Sequence, residues 1–415
     1  MTDLPKQLST RCCIAGGGPA GMMLGYLFAR AGIDTIVLEK WKDFFRDFRG
    51  DTIHPSTMEV LHALGLLDGF LALGPDRAKT LGGRIGGADV TVADFTHLPV
   101  HCRFIALIPQ WDFLDFVARE ARRYPGFHLA METEALDLVE ENGRITGISA
   151  SGPDGPVAIR ADLVIGADGR HSTTREKSGL KVKDLGAPMD VLWFRISRRP
   201  GDPDRPLGVF DRGRILVMIA RKDYWQCGFV IPKGDFDVFR ARGLDDFRAR
   251  IAALAPAVGD RVQEIGSFDS VKLLSVAVDR LEHWQREGFL CIGDAAHAMS
   301  PIGGVGINLA IQDAVAAANI LVPAFRRGAP KLADLQAVQN RREFPTRATQ
   351  ALQLFLQNRV IRKALASEDH ARVPFALRLV QWLPILRRIP ARLIGLGFRP
   401  ELPDMEMLHP STGSG

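Results

Sequence analysis

The sequence predicts an α/β (α+β) fold: a Rossmann-like dinucleotide-binding domain carrying an inserted β-sheet domain and followed by C-terminal helices. Three observations predict it. The turn Gly16-x-Gly18-x-x-Gly21 stands between an apolar strand and a helix. A strand-rich block at 189–232 interrupts an alternating strand–helix pattern. From about residue 331 the chain reads as helical and Arg-rich.

The totals fit this reading. At 415 residues the chain exceeds one compact core, so two or three domains are expected. It is 46% hydrophobic and 24% charged, with no repeat or low-complexity tract. Disorder and solenoid architectures are therefore excluded. The net charge of +5 comes from scattered Arg residues rather than a stripe interleaved with aromatics, which argues against nucleic acid. Cys12, Cys13, Cys102, Cys227 and Cys291 form no CxxC pair and have no His at metal-ligand spacing, so reduced core thiols and no metal are expected. The polar N-terminus lacks a secretory h-region, and no run approaches eighteen apolar residues; a cytoplasmic location follows as an expectation.

In chain order, RCCIA, GGGPAG, MMLGYLFARAG and DTIVLEK read as strand, turn, helix and strand, with Gly32 as C-cap. Residues 53–74 have helical spacing, 81–95 are Gly-rich and β-branched, and 109–123 are helical. Short strands fill 126–165, with turns at Asn142-Gly143 and Pro153-Asp154-Gly155. Strands follow at 189–232, a helix at 244–255, a strand at 289–293 and a long helix at 308–327.

The Gly16–Gly21 turn lets backbone approach a pyrophosphate, which then rests on the positive end of the following helix. Eighteen residues past Gly21, Glu39 ends the next strand. An acid there accepts hydrogen bonds from both ribose hydroxyls and repels a 2′-phosphate, favouring FAD or NAD over NADP. Two later segments choose between them: DLVIGADGRHSTTR at 162–175 and FLCIGDAAHAMSPIGGVGINL at 289–309.

Together the GxGxxG turn, the Asp168-Gly169 motif with trailing Arg175, and the Gly-Asp motif with its Pro and Gly-rich loop resemble the p-hydroxybenzoate hydroxylase family. These are the class A flavoprotein aromatic monooxygenases, and the likeness runs from residue 14 to about 320. It implies FAD as cofactor, with Gly16, Gly18, Pro19, Ala20, Gly21, Glu39 and Lys40 on the adenosine side. Arg49 would meet the pyrophosphate, with Arg46 its rival, and Gln110 the ribityl chain. Asp168 and Gly169 would serve both flavin and nicotinamide binding, and Asp294 the ribityl hydroxyls. Pro301, Gly303, Gly304, Gly306, Ile307 and Asn308 would surround the flavin ring, with Pro301, Gly303, Gly304 and Asn308 nearest the chemistry. A helix starting at Asn308 would aim its positive end at the ring edge where reduced flavin is negative. The implied division is an FAD-binding domain from 1–75, 101–184 and 281–330, a substrate-binding sheet domain from 76–100 and 185–280, and a helical region 331–415.

The resemblance further implies NADH or NADPH as transient electron donor, since no second GxGxxG exists for a separate nicotinamide domain. Dioxygen then adds to reduced flavin, and the C4a-hydroperoxide hydroxylates a small aromatic or quinone-like substrate. Arg195, Met218 and Gln226 are substrate-binding candidates. With three tyrosines in the chain a tyrosine relay is unsupported, and Val305 stands where the best-known member has lysine. His297 reads as structural. The tail 372–399 has six Arg and no acid, which fits either a cap on the flavin domain or a peripheral membrane contact; Pro384 and Pro390 should cut its helices short. A homodimer is a further candidate partner. Competing functions are a reductase or oxidase without oxygen insertion, a flavin halogenase and a non-catalytic FAD binder. CGFVIP at 227–232 has no tryptophan where halogenases carry two, and Lys79 lacks supporting context.

Overall fold

The computed structural model describes residues 6–45, 52–202, 207–366 and 369–408. Strand Lys6–Ala15 opens the chain and leads into α1 (Pro19–Arg30), with Pro19 at the first helical position, where its missing N–H costs nothing. Strand Thr35–Leu38 follows, then α2 (Pro55–Ala63) and α3 (Leu67–Leu71). The single helical run expected over 53–74 is thus broken, at the turn containing Gly65. Next come strands Thr80–Ile85 and Ala88–Asp94, α4 (Gln110–Ala121), four strands from Phe127 to Gly166, and α5 (Thr173–Ser178). The strand-rich block 189–232 leads into α6 (Phe236–Arg242), which the sequence did not signal, and α7 (Leu244–Leu254). The chain closes with α8 (Gly306–Arg326), α9 (Leu332–Leu356), α10 (Arg362–Ala366), α11 (Phe375–Trp382) and α12 (Arg388–Gly395). Pro384 separates α11 from α12 as expected, but Pro390 does not end a helix. It sits in the first turn of α12, where its N–H would have had no partner.

The first sheet runs Gln285–Arg286, Phe289–Cys291, Gly155–Gly166, Lys6–Ala15, Thr35–Leu38, Phe127–Ala130. Its last five strands are mutually parallel. Cys12, Cys13 and Ile14 are fully buried on both faces, the burial a parallel sheet under helices demands. All five cysteines are buried free thiols. Helix α8 is long and apolar enough to span a bilayer by composition, yet most of it is buried in this core against α1.

The second sheet has the order Lys272–Leu274, Met189–Ser197, Tyr224–Pro232, Arg214–Ala220, Leu207–Asp211, Thr80–Ile85, Ala88–Asp94. Strand alternation divides its residues cleanly. Leu192, Phe194, Ile196, Cys227 and Phe229 face α7, where buried Phe247 and Ile251 contribute about 1.5–3 kcal/mol each. Val191, Trp193, Phe210 and Ile215 face the other way, towards Ile302 of the flavin-domain loop.

A buried charge cluster ties the C-terminal helices to the first sheet. Asp313 of α8, fully buried, accepts from His297 Nε2 at 2.6 Å, Arg342 Nε at 2.8 Å and Gly293 N at 3.1 Å. Burial alone would raise its carboxyl; His297 and Arg342 outweigh that and hold it below the ordinary value. His297 is therefore committed to structure. Removing Asp313 leaves the buried Arg342 guanidinium with its longer ion pair to Glu401, at 3.5 Å. Asp313→Ala is expected to cost about 3–5 kcal/mol in urea unfolding of the flavin-loaded protein, and Asp313→Asn clearly less.

Candidate active site

The strand ends build the site. In a parallel sheet, ligands bind beyond the carboxyl ends of the strands, where neighbours on either side depart in opposite directions. Here Ala15, Leu38, Gly166 and Cys291 end at one edge, and the loops that follow carry the three motifs.

Their convergence is visible atom by atom. Gly16 has φ +106°, and a Cβ on it would lie 2.3 Å from the Ala167 carbonyl oxygen and 2.8 Å from Asp168 Cα. Only hydrogen fits, so the first motif is packed directly on the second. A Cβ on Gly17 would lie 3.1 Å from a Glu39 carboxylate oxygen, which puts that acid beside the turn. Gly293 packs on Ala20, bringing the third motif to the same place. Arg175 bridges the last two loops: it donates to the Arg170 carbonyl at 2.6 Å, the Ala295 carbonyl at 3.3 Å and Asp279 at 3.3 Å. Arg170 in turn lies 3.8 Å from Asp294, whose side chain is one-third exposed. Glu39, Asp168 and Asp294 thus border one groove.

At its far end the loop Pro301–Gly306 turns into α8, with Gly303 and Gly304 at φ +78° and +63°. The helix begins at Gly306, two residues before the expected Asn308, so the backbone N–H groups of the loop glycines form its positive pole. A Cβ on Gly304 would lie 2.5 Å from Thr52 Oγ1.

Several sequence candidates are placed differently from expectation. Asn308 is buried with all four hydrogen-bonding positions spent: Oδ1 accepts from His54 N and Thr57 Oγ1, both at 2.8 Å, and Nδ2 donates to the Thr52 and Gly304 carbonyls. It welds two loops together, and its side chain is a positioning group rather than a catalytic one. The Asp168 carboxylate turns into its own loop, accepting from Ser172, from Thr174 Oγ1 and from Thr174 N, because it organises the start of α5. Its backbone, with Gly169 at φ +85°, is what faces the first motif. Lys40 is exposed, paired with Glu134 at 3.7 Å and stacked over Trp41, so it leaves the groove. Arg46 and Arg49 lie outside the described residues. Gly18, Pro19, Ala20 and Gly21 open α1, Gln110 begins α4, and Ile307 is half-buried at the start of α8.

On the sheet roof, Arg195 and Gln226 are cross-strand partners on one face. Gln226 is buried and bonded by Arg221, while Arg195 is exposed and stacks over Tyr224 at 4.8 Å. Met218 is corrected: it pairs with Cys227 and points into the α7 core, so it cannot touch substrate. Its neighbours Val217 and Ile219 take the inner face instead. A row of small residues crosses the sheet, with Gly228, Gly208 and Gly83 in register around Val217, and the Trp193 ring lies over Gly228 and the Phe210 ring over Gly208. Behind the flavin-domain loop, an apolar cavity of about 90 Å³ is lined by Ile302, Val305, Leu356, Leu393 and Phe398, with Gln312 and Arg342 in its wall.

Nothing in the sequence signalled His54, a lone histidine in a loop. Its ring is buried, with Nδ1 2.8 Å from the Ile394 carbonyl. Donating to that carbonyl requires the proton on Nδ1, so Nε2 keeps its lone pair. Burial pushes this imidazole down from 6.5 to about 4, against a weaker opposing pull from the carbonyl.

Residues 9–352 match the family described as FAD binding domain. The chain is 33% identical over 388 residues to the 6-methylpretetramide 4-monooxygenase of Streptomyces rimosus, covering 92% of each. It is 29% identical over 331 residues to the 12-dehydrotetracycline 5-monooxygenase/anhydrotetracycline 6-monooxygenase of Streptomyces rimosus, covering 73% of this chain but 60% of that one. Among solved structures, the p-nitrophenol 4-monooxygenase PnpA from Pseudomonas putida DLL-E4 superposes with a TM-score of 0.76 at 18% identity, covering 98% of this chain and 99% of that one.

Two outcomes follow from the geometry. Gly16→Ala forces a methyl into the Ala167 carbonyl, and flavin affinity measured by fluorescence titration is expected to fall on the order of a hundredfold, roughly 3 kcal/mol. For His54, the unfolded chain takes up a proton near pH 6.5 and the folded chain not until about pH 4. Stability is therefore fully present above that window and lost as pH falls through it, by up to about 3 kcal/mol. Melting temperatures of His54→Gln should consequently decline less between neutral and mildly acidic pH than those of the wild type.

Proposed function

The chain belongs to the FAD-binding family of class A flavoprotein aromatic monooxygenases, and on that premise we propose that it uses NAD(P)H and dioxygen to hydroxylate an extended, largely apolar aromatic substrate. The observation that carries the reading is the single groove formed by three motif loops. It ends at the positive pole of α8 under a sheet whose inner face brings Val191, Trp193, Phe210 and Ile215 towards Ile302.

The residues present fit FAD. The Gly16 turn has no space for a side chain but leaves backbone N–H groups at the start of α1 for a pyrophosphate. Glu39 offers oxygens for ribose hydroxyls and Asp294 for the ribityl chain. The N–H groups of Gly303–Gly306 suit the anionic edge of a reduced ring. When bound, the flavin supplies hydride acceptance and oxygen activation.

The protein's own contribution is placement and exclusion of water. Asn308 fixes the distance between the Thr52 segment and the flavin loop. Val191, Trp193, Phe210 and Ile215 pack over Ile302 with apolar surface, which keeps the reacting region dry. The relatives named for 6-methylpretetramide and anhydrotetracycline support a hydroxylated aromatic substrate of that kind. None of the three tyrosines supports a tyrosine relay: Tyr26 and Tyr124 meet edge to face inside the flavin domain, and Tyr224 stacks with Arg195.

The test uses the purified yellow holoprotein with a panel of phenolic aromatics, both nicotinamides and isotopically labelled dioxygen. A true substrate should accelerate NAD(P)H oxidation and emerge carrying one labelled oxygen atom. Product formed without label would move the protein to the reductase or oxidase reading.

A further inference from the structure

The C-terminal segment 371–400 presents an inverted amphipathic face. Helix α11 is fastened by its polar side: the Gln381 amide accepts from Thr91 N at 3.2 Å and donates to the Thr91 carbonyl at 2.8 Å. It thereby closes the open edge of strand Ala88–Asp94 as another strand would. Leu377 and Val380 lie on this inner side and are half-buried. The outer side carries Phe375, Leu379 and Trp382 at i, i+4 and i+7, with Phe375 80% and Trp382 83% exposed. Ile385 and Ile389 continue the apolar surface across the turn into α12. A soluble monomer rarely leaves its largest side chains so bare in one place.

Charge identifies what covers this face. Between 372 and 399 every charged residue is Arg: 372, 378, 387, 388, 392 and 399, with no acid. All except Arg387 are exposed. A second copy docked symmetrically would set these arginines against one another, since the segment brings no carboxylate of its own. An anionic lipid surface meets both demands, taking apolar side chains below its headgroups and holding guanidinium groups at them.

We propose that α11 and the start of α12 form a docking element that seats the protein on anionic membrane surfaces. Seated there, the face lies next to the apolar cavity behind the flavin loop, because α12 supplies Leu393 and Ile394 to its wall. An apolar aromatic dissolved in the bilayer would reach that cavity along this segment. The docking itself does not depend on the chemistry proposed above.

Flotation of the holoprotein with phosphatidylcholine vesicles, with and without phosphatidylglycerol, tests the idea. Binding is expected only with the anionic lipid and should be dispersed by high salt. The pairs Phe375→Glu/Trp382→Glu and Arg378→Glu/Arg388→Glu should each lower vesicle partitioning by about tenfold or more. Flavin content and NAD(P)H oxidation in vesicle-free solution should stay at wild-type levels, which separates loss of docking from loss of fold or failure of the proposed activity. The proposal is overturned if anionic vesicles do not bind, or if both pairs bind as the wild type does. Self-association in sedimentation velocity that the Phe375→Glu/Trp382→Glu pair abolishes would also overturn it, assigning the face to a dimer.

Discussion

The architecture depends on one close approach, the backbone of Gly16 lying against Ala167 and Asp168. It is possible because strands Lys6–Ala15 and Gly155–Gly166 are paired in parallel register to their last residues, Ala15 opposite Gly166. Any side chain on Gly16 would wedge the two loops apart, and with them the turn that opens α1 and the loop that Arg175 ties to Asp279 and Ala295. The dinucleotide groove is thus defined by backbone. Side chains decorate it.

The third motif is held by different physics. Its loop takes backbone hydrogen bonds from Leu281 N to the Ala296 carbonyl and from Asp279 N to the Ala298 carbonyl, and is further anchored by charge, through Asp313, His297 and Arg342, and through Glu401, which accepts from Arg341. Buried ion pairs are costly to assemble and costlier to break singly, so they specify one arrangement more than they add net stability. The consequence is that α8, whose positive pole would face the flavin ring, is indexed to α9 and to the C-terminal segment as well as to the first sheet. Asn308 performs the same service at the helix start.

Much of this was legible in the sequence wherever function is exercised by backbone. Glycines at fixed spacing, a strand before and a helix after, and an acid ending the next strand are local signals, and they placed Gly16, Glu39 and Asp294 on one groove. Legibility failed where the answer depends on which way a side chain turns. Met218 lies on a strand over the chamber, but strand alternation assigns it to the α7 side, and the parity could not be fixed before the pairing with Cys227 was known. Asp168 and Asn308 are drawn into capping and cross-loop bonds whose partners, Thr174 and Thr52, are distant or unremarkable in sequence. His54 had no signal because its burial comes from Ile394, contributed by a helix far along the chain.

The roof and the tail can be understood as one problem. The second sheet ends at strand Ala88–Asp94, whose outer backbone groups would stand open to solvent or to another chain. Gln381 satisfies those of Thr91, and in doing so it orients α11. Since the Gln381 side of that helix is spent on the sheet, with Leu377 and Val380 beside it, the opposite side that carries Phe375, Leu379 and Trp382 is turned outward. Had the helix been turned the other way, Phe375 and Trp382 would have covered the edge and left its amide groups unpaired, a penalty of about 1–3 kcal/mol for each buried group. Satisfying the edge and exposing the aromatics are therefore the same structural decision. The arginines around them determine that the exposed surface faces an anion.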